Sequence, residues 1–212
     1  MFKRYTGGAA AYDVLSGERF VYRAGRVAGI RALGLAWGDT VLDLGCGTGL
    51  NLPLLLELVG PGGLVIGVDL SPAMLRVARR RVASRGWQNV SLIEADGTSI
   101  DPARITGLAA ERGRDRVDAA LSTYAMSVTG DHEAAWAVIR AAVRPGGRVG
   151  IVDMAVPVGA AAVFAPLARL ACATGGADIH AAPWRVIERD ASNVEHSVHR
   201  GGHIHVVTGT LP

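Results

Sequence analysis

The sequence is poor in the features that mark secreted, metal-binding and membrane-spanning proteins. It has 212 residues and two cysteines, too few for a disulfide framework or a thiolate metal site. Its nearest approach to a membrane span is residues 154–168, which are interrupted by two prolines and fall short of about 18 apolar residues. Residues 1–6 lack the apolar core of a signal peptide. These absences predict a cytoplasmic protein.

Lysine is almost absent, and the net charge is small because 22 lysine and arginine residues nearly balance 19 acidic ones. The net charge is +3, and Lys3 is the single lysine in a sequence whose other cations are arginines. A charge this small does not require a nucleic acid partner, and none is expected. Half of the residues are hydrophobic, and no repeat or low-complexity linker interrupts them. We therefore expect one domain over residues 1–212.

Short apolar strands alternate with helical patterns along most of the chain, which predicts an α/β fold. The predicted strands are residues 40–44, 64–68, 90–94, 116–121, 149–152, 192–198 and 203–209. The predicted helices are residues 7–35 with breaks at Gly17 and Gly25, 50–59, a helix starting after Ser71, 102–112, 132–143, part of 155–175, and 183–191.

The most informative stretch is residues 43–49, D-L-G-C-G-T-G, which joins a buried strand to a helix. Glycine permits a tight turn and lets a ligand approach the backbone, and the N–H groups of the helix start then face that ligand. Asp69 ends the second strand and Asp96 follows the third. A carboxylate at either place can accept hydrogen bonds from hydroxyl or amino groups. Together these residues predict a nucleoside site.

The pattern resembles motif I of the class I S-adenosylmethionine (SAM) dependent methyltransferases, and the turn Arg144–Arg148 before a strand resembles the same family. The resemblance implies a seven-stranded, mostly parallel, Rossmann-like sheet with helices on both faces and an antiparallel C-terminal hairpin. It divides the domain into a helical cap (1–36), a SAM-binding core (37–154), and an acceptor-side segment with the hairpin (155–212).

The resemblance also implies the cofactor SAM, with S-adenosylhomocysteine as its product. Asp69 is then expected to bind the ribose and Asp96 the adenine, although Asp96 could instead cap a turn. Tyr5, Tyr12 and Tyr22 either face the pocket or pack the cap onto the sheet. The expected cofactor-binding residues are Tyr12, Asp43, Gly45, Cys46, Gly47, Thr48, Gly49, Asn51, Asp69, Leu70, Met74, Asp96, Gly97, Ser122 and Thr123.

Methyl transfer from a sulfonium is an in-line displacement with an activated leaving group, so alignment and exclusion of water are the main requirements. A general base is needed only when the acceptor must lose a proton. His132 and Tyr124 are the candidate catalytic residues, and a surface helix position is the alternative for His132. Four histidines, at positions 196, 199, 203 and 205, have a single acid near them in the sequence, Glu195, so no metal site is expected.

The acceptor pocket is expected between the cap, residues 122–126 and residues 155–175, which are apolar with a few hydroxyls. We therefore expect transfer to an N, O or C nucleophile of a mostly hydrophobic small molecule. Similarity to quinone C-methyltransferases and bacterial phospholipid N-methyltransferases leaves a phosphatidylethanolamine-type N-methyltransferase at the membrane surface as an alternative. A non-catalytic SAM-binding module is a further alternative, and the glycine spacing disfavours a nicotinamide oxidoreductase. The expected assembly is a monomer or homodimer.

Overall fold

A computed structural model of the protein describes residues 22–212 and contains a seven-stranded sheet in the order β3-β2-β1-β4-β5-β7-β6. Strands β1 to β5 pair in parallel, and β7 runs antiparallel to both β5 and β6. The strands are β1 Thr40–Leu44, β2 Leu64–Asp69, β3 Val90–Glu94, β4 Val117–Thr123, β5 Val143–Met154, β6 Ser192–His199 and β7 Ile204–Thr210. The predicted fold class is confirmed.

Helices cover both faces of this sheet. They are α1 Arg23–Ala32, α2 Leu52–Val59, α3 Pro72–Arg85, α4 Pro102–Ala110, α5 His132–Ala142, α6 Ala165–Gly175 and α7 Arg185–Asp190, with a 3₁₀ helix over Gly159–Phe164. Ser71 caps α3 and Asp131 caps α5, each by accepting a hydrogen bond from a backbone N–H in the first turn. Among residues 22–212, no helix is both long and apolar enough to cross a bilayer.

The central strands are apolar on both faces because each face is covered by helices. All five residues of β1 are buried. On one face, the strands pack against Ile105 of α4, Trp136 of α5 and Ile187 of α7. On the other face, they pack against Ile30 of α1 and Leu55 of α2. Two apolar layers thus hold the carboxyl ends of β1, β2 and β4 side by side.

Helix α1 lies unusually close to the sheet because glycine faces it. A Cβ at Gly25 would stand 2.5 Å from the Tyr124 hydroxyl and 2.6 Å from a methyl group of Ile204. The predicted helix break at Gly25 is therefore wrong, since Gly25 is the close-contact point of an unbroken helix. Gly17 and most of the predicted cap, residues 1–21, lie outside the described residues.

Strand β5 differs most from its predicted bounds. Val117 of β4 pairs with Val143, and the next paired residue, Ala119, is opposite Arg148. Residues 144–147 thus interrupt the pairing of β5 with β4 as a bulge of four residues. A turn before the strand was predicted at this place. The predicted turn residues do interrupt the strand, but the pairing of β5 with β4 already begins at Val143, before them.

Candidate functional site

A cavity of about 620 Å³ opens at the carboxyl ends of the central strands. This volume is in the range of roughly 300–1,000 Å³ typical of small-molecule sites. The cavity is lined by Tyr22, Arg26, Leu44, Gly45, Cys46, Gly47, Thr48, Leu50, Val68, Asp69, Leu70, Ser71, Pro72, Met74, Asp96, Gly97, Ser122, Thr123, Tyr124, Ala125, Met126, Val128, Thr129, Met154, Ala171, Cys172, Thr174, Gly175 and Ala177.

The glycine loop forms one end of the cavity. The backbone N–H groups of Gly45 and Cys46 both donate to the carbonyl of Val68, at 2.8 and 3.0 Å, which ties the loop to β2. Gly47 has φ +53°, and no atom lies within 4 Å of where its Cβ would stand. Glycine thus leaves the backbone bare where it faces the cavity. Burial raises the pKa of the Cys46 thiol, so this side chain stays neutral.

Asp69, at the end of β2, points its carboxylate to the same loop. One oxygen accepts the N–H of Gly47 and the other accepts the N–H of Ser71, both at 2.8 Å. Burial raises the pKa of Asp69, while these two hydrogen bonds oppose the shift. Each carboxylate oxygen has a second lone pair, so the group can still accept hydrogen bonds from a ligand diol.

Asp96, after β3, caps a turn and also lines the cavity. Its Oδ1 accepts hydrogen bonds from the backbone N–H and the hydroxyl of Thr98, at 2.9 and 2.7 Å, which caps the following turn. It also lines the cavity beside Gly97. The cap engages Oδ1 of Asp96, and the residue still lines the cavity.

Behind the loop lies a buried polar network centred on Asn51. Its Nδ2 donates to Asp43 Oδ1 at 2.8 Å, and its Oδ1 accepts a hydrogen bond from Arg26 at 2.6 Å. Arg26 also donates to the hydroxyl of Thr123 at 2.8 Å. Burial raises the pKa of Asp43 to about 6, although Asn51 and Arg26 both oppose the shift. Its Oδ2 is buried without a hydrogen-bond partner.

Arg26 is a site residue that the sequence analysis missed. It is 8% exposed, lines the cavity, and has its guanidinium carbon 5.5 Å from the centre of the Tyr124 ring. The signal in the sequence was its spacing, since Tyr22, Arg26 and Ile30 recur every four residues on one helix face. An arginine on a face that is otherwise apolar implies a buried partner.

The structure places the predicted residues in three groups. Asp43, Gly49 and Asn51 lie behind the loop, outside the cavity lining, and Tyr12 lies outside the described residues. The remaining predicted cofactor residues line the cavity: Gly45, Cys46, Gly47, Thr48, Asp69, Leu70, Met74, Asp96, Gly97, Ser122 and Thr123.

Of the two candidate catalytic residues, Tyr124 lines the cavity and His132 does not. Tyr124 follows β4, has φ +56° and lines the cavity. His132 begins α5, and it is not among the described residues that line the cavity. Tyr22, which was predicted either to face the pocket or to pack the cap, is at the cavity wall with its ring centre 4.9 Å from that of Tyr124.

The end of the cavity away from the loop is apolar. Met154 at the end of β5 and Cys172 on α6 meet there, with their sulfur atoms 3.7 Å apart. Burial raises the pKa of Cys172 to about 11, so its thiol is neutral. Thr174 and Ala177 complete this wall. A polar end and an apolar end thus share one continuous cavity.

Residues 41–147 match the family model described as "Methyltransferase domain", which covers half of the chain. The chain belongs to the SAM-dependent methyltransferases. Its backbone resembles that of a SAM-dependent methyltransferase from Aquifex aeolicus, with a TM-score of 0.63 at 18% identity, covering 96% of this chain and 98% of that one. The predicted class I membership and cofactor are therefore confirmed.

Two curated relatives illustrate the range of this methyltransferase family. An aklanonic acid methyltransferase of Streptomyces sp. (strain C5) is 38% identical over 97 residues, which are 45% of this chain and 43% of the relative. An arsenite methyltransferase of Halobacterium salinarum is 32% identical over 120 residues, which are 57% of this chain and 28% of the relative. The chain thus spans less than half the length of these relatives.

A phosphoethanolamine N-methyltransferase of Haemonchus contortus, solved with phosphomonomethylethanolamine and S-adenosylhomocysteine, has a TM-score of 0.71 at 17% identity. The match covers 97% of this chain and 57% of that one. At this identity the likeness concerns the fold.

The residues present fit SAM. The open space at Gly47 admits a ligand against the backbone, and Ser122, which lines the cavity, has a buried hydroxyl without a hydrogen-bond partner among the described residues. Asp69 and Asp96 would hold the ribose and adenine ends, and Arg26 with Ser122 and Thr123 would face the methionine end. When bound, SAM supplies an activated methyl group on a positively charged sulfur.

Proposed function

We propose that this protein transfers the methyl group of SAM to an N, O or C nucleophile of a mostly hydrophobic small molecule. The observation that carries this proposal is the cavity, which runs from the cofactor loop to the apolar wall of Met154 and Cys172. An acceptor held against that wall would lie beside the cofactor. A few hydroxyls, such as those of Tyr22 and Thr174, would orient it.

The chain's own residues would contribute chiefly alignment. Asp69 and the bare backbone at Gly47 would fix the cofactor. Tyr22 and Tyr124 pack against the apolar far end of the cavity. The neutral thiols of Cys46 and Cys172 offer little thiolate to compete for the methyl group. Apolar side chains exclude water from the reacting atoms.

Calorimetry followed by product analysis tests this function. We expect SAM and S-adenosylhomocysteine to bind with micromolar affinity and NAD to give no heat. Methyl-labelled SAM should then label apolar compounds in a fractionated small-molecule extract. Heat with NAD but none with SAM would refute the cofactor assignment. SAM binding with no labelled product in any fraction would favour a non-catalytic SAM-binding module.

A second candidate, a phospholipid N-methyltransferase working at a membrane surface, is favoured by an apolar surface beside the cavity. This outer face consists of large apolar residues that are each at least 62% exposed: Val158, Val163, Phe164, Leu167 and Leu170. Residues 154–177 contain one charged side chain, Arg169. The other side of α6 lines the cavity through Ala171 and Cys172. Insertion of this outer face into a lipid interface would bring the cavity to the membrane.

Sedimentation with neutral and anionic phospholipid vesicles at physiological salt separates the two candidates. If the protein remains in the supernatant with both kinds of vesicle, the membrane-surface candidate is excluded and the acceptor is a water-soluble molecule. If it sediments, Phe164→Asp and Leu167→Asp should release it without loss of SAM binding. Trp37→Asp is the matched control, because Trp37 is also exposed but precedes β1, at the opposite end of that strand from the cavity.

A further inference from the structure

His203 is a buried histidine with a hydrogen-bond partner at each ring nitrogen. It precedes β7 and is 7% exposed. Its Nδ1 is 2.7 Å from the carbonyl oxygen of Ala155, and its Nε2 is 3.5 Å from the hydroxyl of Tyr22. The backbone N–H of Ala155 also donates to the carbonyl of His203 at 2.8 Å. The ring is thus fixed to the segment that follows β5.

The Ala155 carbonyl decides which ring nitrogen carries the proton. A carbonyl oxygen can only accept, so Nδ1 of His203 must be the donor. In the neutral ring, Nε2 is then the acceptor, and the Tyr22 hydroxyl is the group that can donate to it. The Tyr22 hydroxyl is therefore the hydrogen-bond donor and Nε2 of His203 the acceptor, which is also the direction in which a proton would move.

Tyr22 is held in place from its other side. The Tyr124 hydroxyl donates to the Tyr22 carbonyl at 2.7 Å, and the two rings meet edge to face. Tyr124 does this with φ +56°, a backbone conformation that costs energy in a residue other than glycine and often marks a functional site. Tyr22 thus both lines the cavity and contacts His203 through its hydroxyl.

We propose that Tyr22 and His203 form a proton relay for acceptors that must lose a proton when they are methylated. Tyr22 is the catalytic residue that touches the acceptor, and His203 is the positioning residue that receives the proton through it. The long Tyr22–His203 contact shortens when the acceptor fills the cavity, as catalytic hydrogen bonds commonly do. The relay rests on the proposed methyl transfer.

The step balances in atoms and charge. The acceptor's nucleophilic atom forms a bond to the methyl carbon, and the carbon–sulfur bond breaks with its electron pair remaining on sulfur. The acceptor proton passes to the Tyr22 oxygen while the Tyr22 proton passes to Nε2 of His203. The positive charge of the sulfonium is thereby replaced by that of an imidazolium, whose Nδ1–H still donates to Ala155.

Nitrogen NMR of ¹⁵N-histidine-labelled protein tests the geometry without any acceptor. We expect an Nδ1-protonated histidine whose signals disappear in His203→Asn. His196 should give a second such pattern, because its Nδ1 lies 3.0 Å from a carboxylate oxygen of Glu188, so the variant is needed to identify the signals of His203. Its Nε2 resonance should shift in Tyr22→Phe, which keeps the Tyr22 carbonyl that Tyr124 needs. A His203 protonated at Nε2, or an Nε2 resonance that Tyr22→Phe leaves in place, would overturn the relay.

Methylation of substituted phenols by the 212-residue chain tests the chemistry. His203→Asn keeps a donor for the Ala155 carbonyl but lacks Nε2. We expect kcat for weakly acidic phenols to fall about 100-fold, the lower end of general-base effects. A nitrophenol that is already ionised at the assay pH should lose less than about threefold, because no proton must move. The KM for SAM should stay unchanged, and His180→Asn, at an exposed histidine, should behave as wild type.

The outcomes separate this relay from the proposed function. Loss of SAM binding in the wild type would refute the function itself. Normal SAM binding with an equal loss across all phenols would assign His203 a purely structural role and overturn the relay, and so would no loss at all. If wild type methylates none of the phenols, the NMR result decides alone.

Discussion

The two ends of the cavity are built from different parts of the chain. The cofactor end consists of a contiguous loop, residues 44–48, and single acids after β2 and β3. The far end combines Tyr22, Tyr124, Met154 and Cys172, which come from four separate segments. The first end relies on exposed glycine backbone, and the second on side-chain shape. A backbone site needs a fixed local sequence, whereas a side-chain wall can vary with the molecule that it holds.

Replacing Asp69 should give the largest effect and confine it to the cofactor end. We expect Asp69→Ala to cost about 2–4 kcal/mol of SAM binding, because two ribose hydroxyls lose a charged acceptor. Calorimetry measures the loss, and circular dichroism checks that the fold persists. Asp101→Ala, which removes an exposed helix cap, is the control. An Asp69→Ala protein with wild-type affinity would place the ribose elsewhere.

The pH dependence of stability tests the buried carboxyl of Asp43, which lies behind the glycine loop. Its folded-state pKa of about 6 exceeds the unfolded value, so the folded state binds the proton more tightly, and the resulting stability is lost as pH rises through 6. Between pH 5 and 7.5, wild type should lose roughly 1–1.5 kcal/mol of unfolding free energy relative to Asp43→Asn. Urea unfolding at both pH values measures this. Parallel pH dependences in the two proteins would mean that Asp43 ionises normally.

Gly47 separates backbone strain from ligand contact. Gly47→Ala should lose about 1 kcal/mol of stability, because an L-residue at φ +53° is strained. Gly86→Ala is the matched control: Gly86 has φ +64°, equally open surroundings, and lies at the end of α3. Both variants should unfold at similar urea concentrations, but Gly47→Ala alone should lose about tenfold in SAM affinity, or about 1.4 kcal/mol. If Gly47→Ala and Gly86→Ala bind SAM with equal affinity, the glycine loop does not contact the cofactor.

The smallest effect is expected at the far end. Thr174→Val keeps the shape of the wall and removes a hydroxyl that donates to the Ala171 carbonyl. Its effect on SAM affinity should stay within about 0.5 kcal/mol, while the KM for the methylated acceptor should change. A Thr174→Val protein that binds SAM poorly would show that the two ends are not separable.

The sequence specified the loop end well because its signals are local. Strand β1, the glycines and Asp69 are adjacent or nearly so, and the ligand-facing backbone follows from their order. Arg26 and Tyr22 could not be placed in this way, because their position depends on how closely α1 approaches the sheet. Gly25, interpreted as a break, was in fact the residue that permits that approach.

His203 illustrates a second kind of limit. The predicted strand over residues 203–209 places His203 and His205 two residues apart, on the same face of one strand. In the structure, the ring of His205 stacks on Trp184 and contacts His196, whereas His203 is buried against Ala155 and Tyr22. The difference arises because His203 lies in the turn before β7, whose first residue is Ile204. The two-residue periodicity of the strand therefore does not extend to His203.

The packing of α1 also bears on how the protein is made. This helix precedes every strand in the chain, yet Gly25 and Gly29 fit against side chains of β5 and β7, the strands at residues 143–154 and 204–210. During synthesis, α1 must therefore wait for nearly the whole domain before its docking surface exists, and it closes a loop of high contact order when it docks. The core therefore emerges from the ribosome first, and the cavity wall bearing Tyr22 and Arg26 is completed only after β7 has emerged.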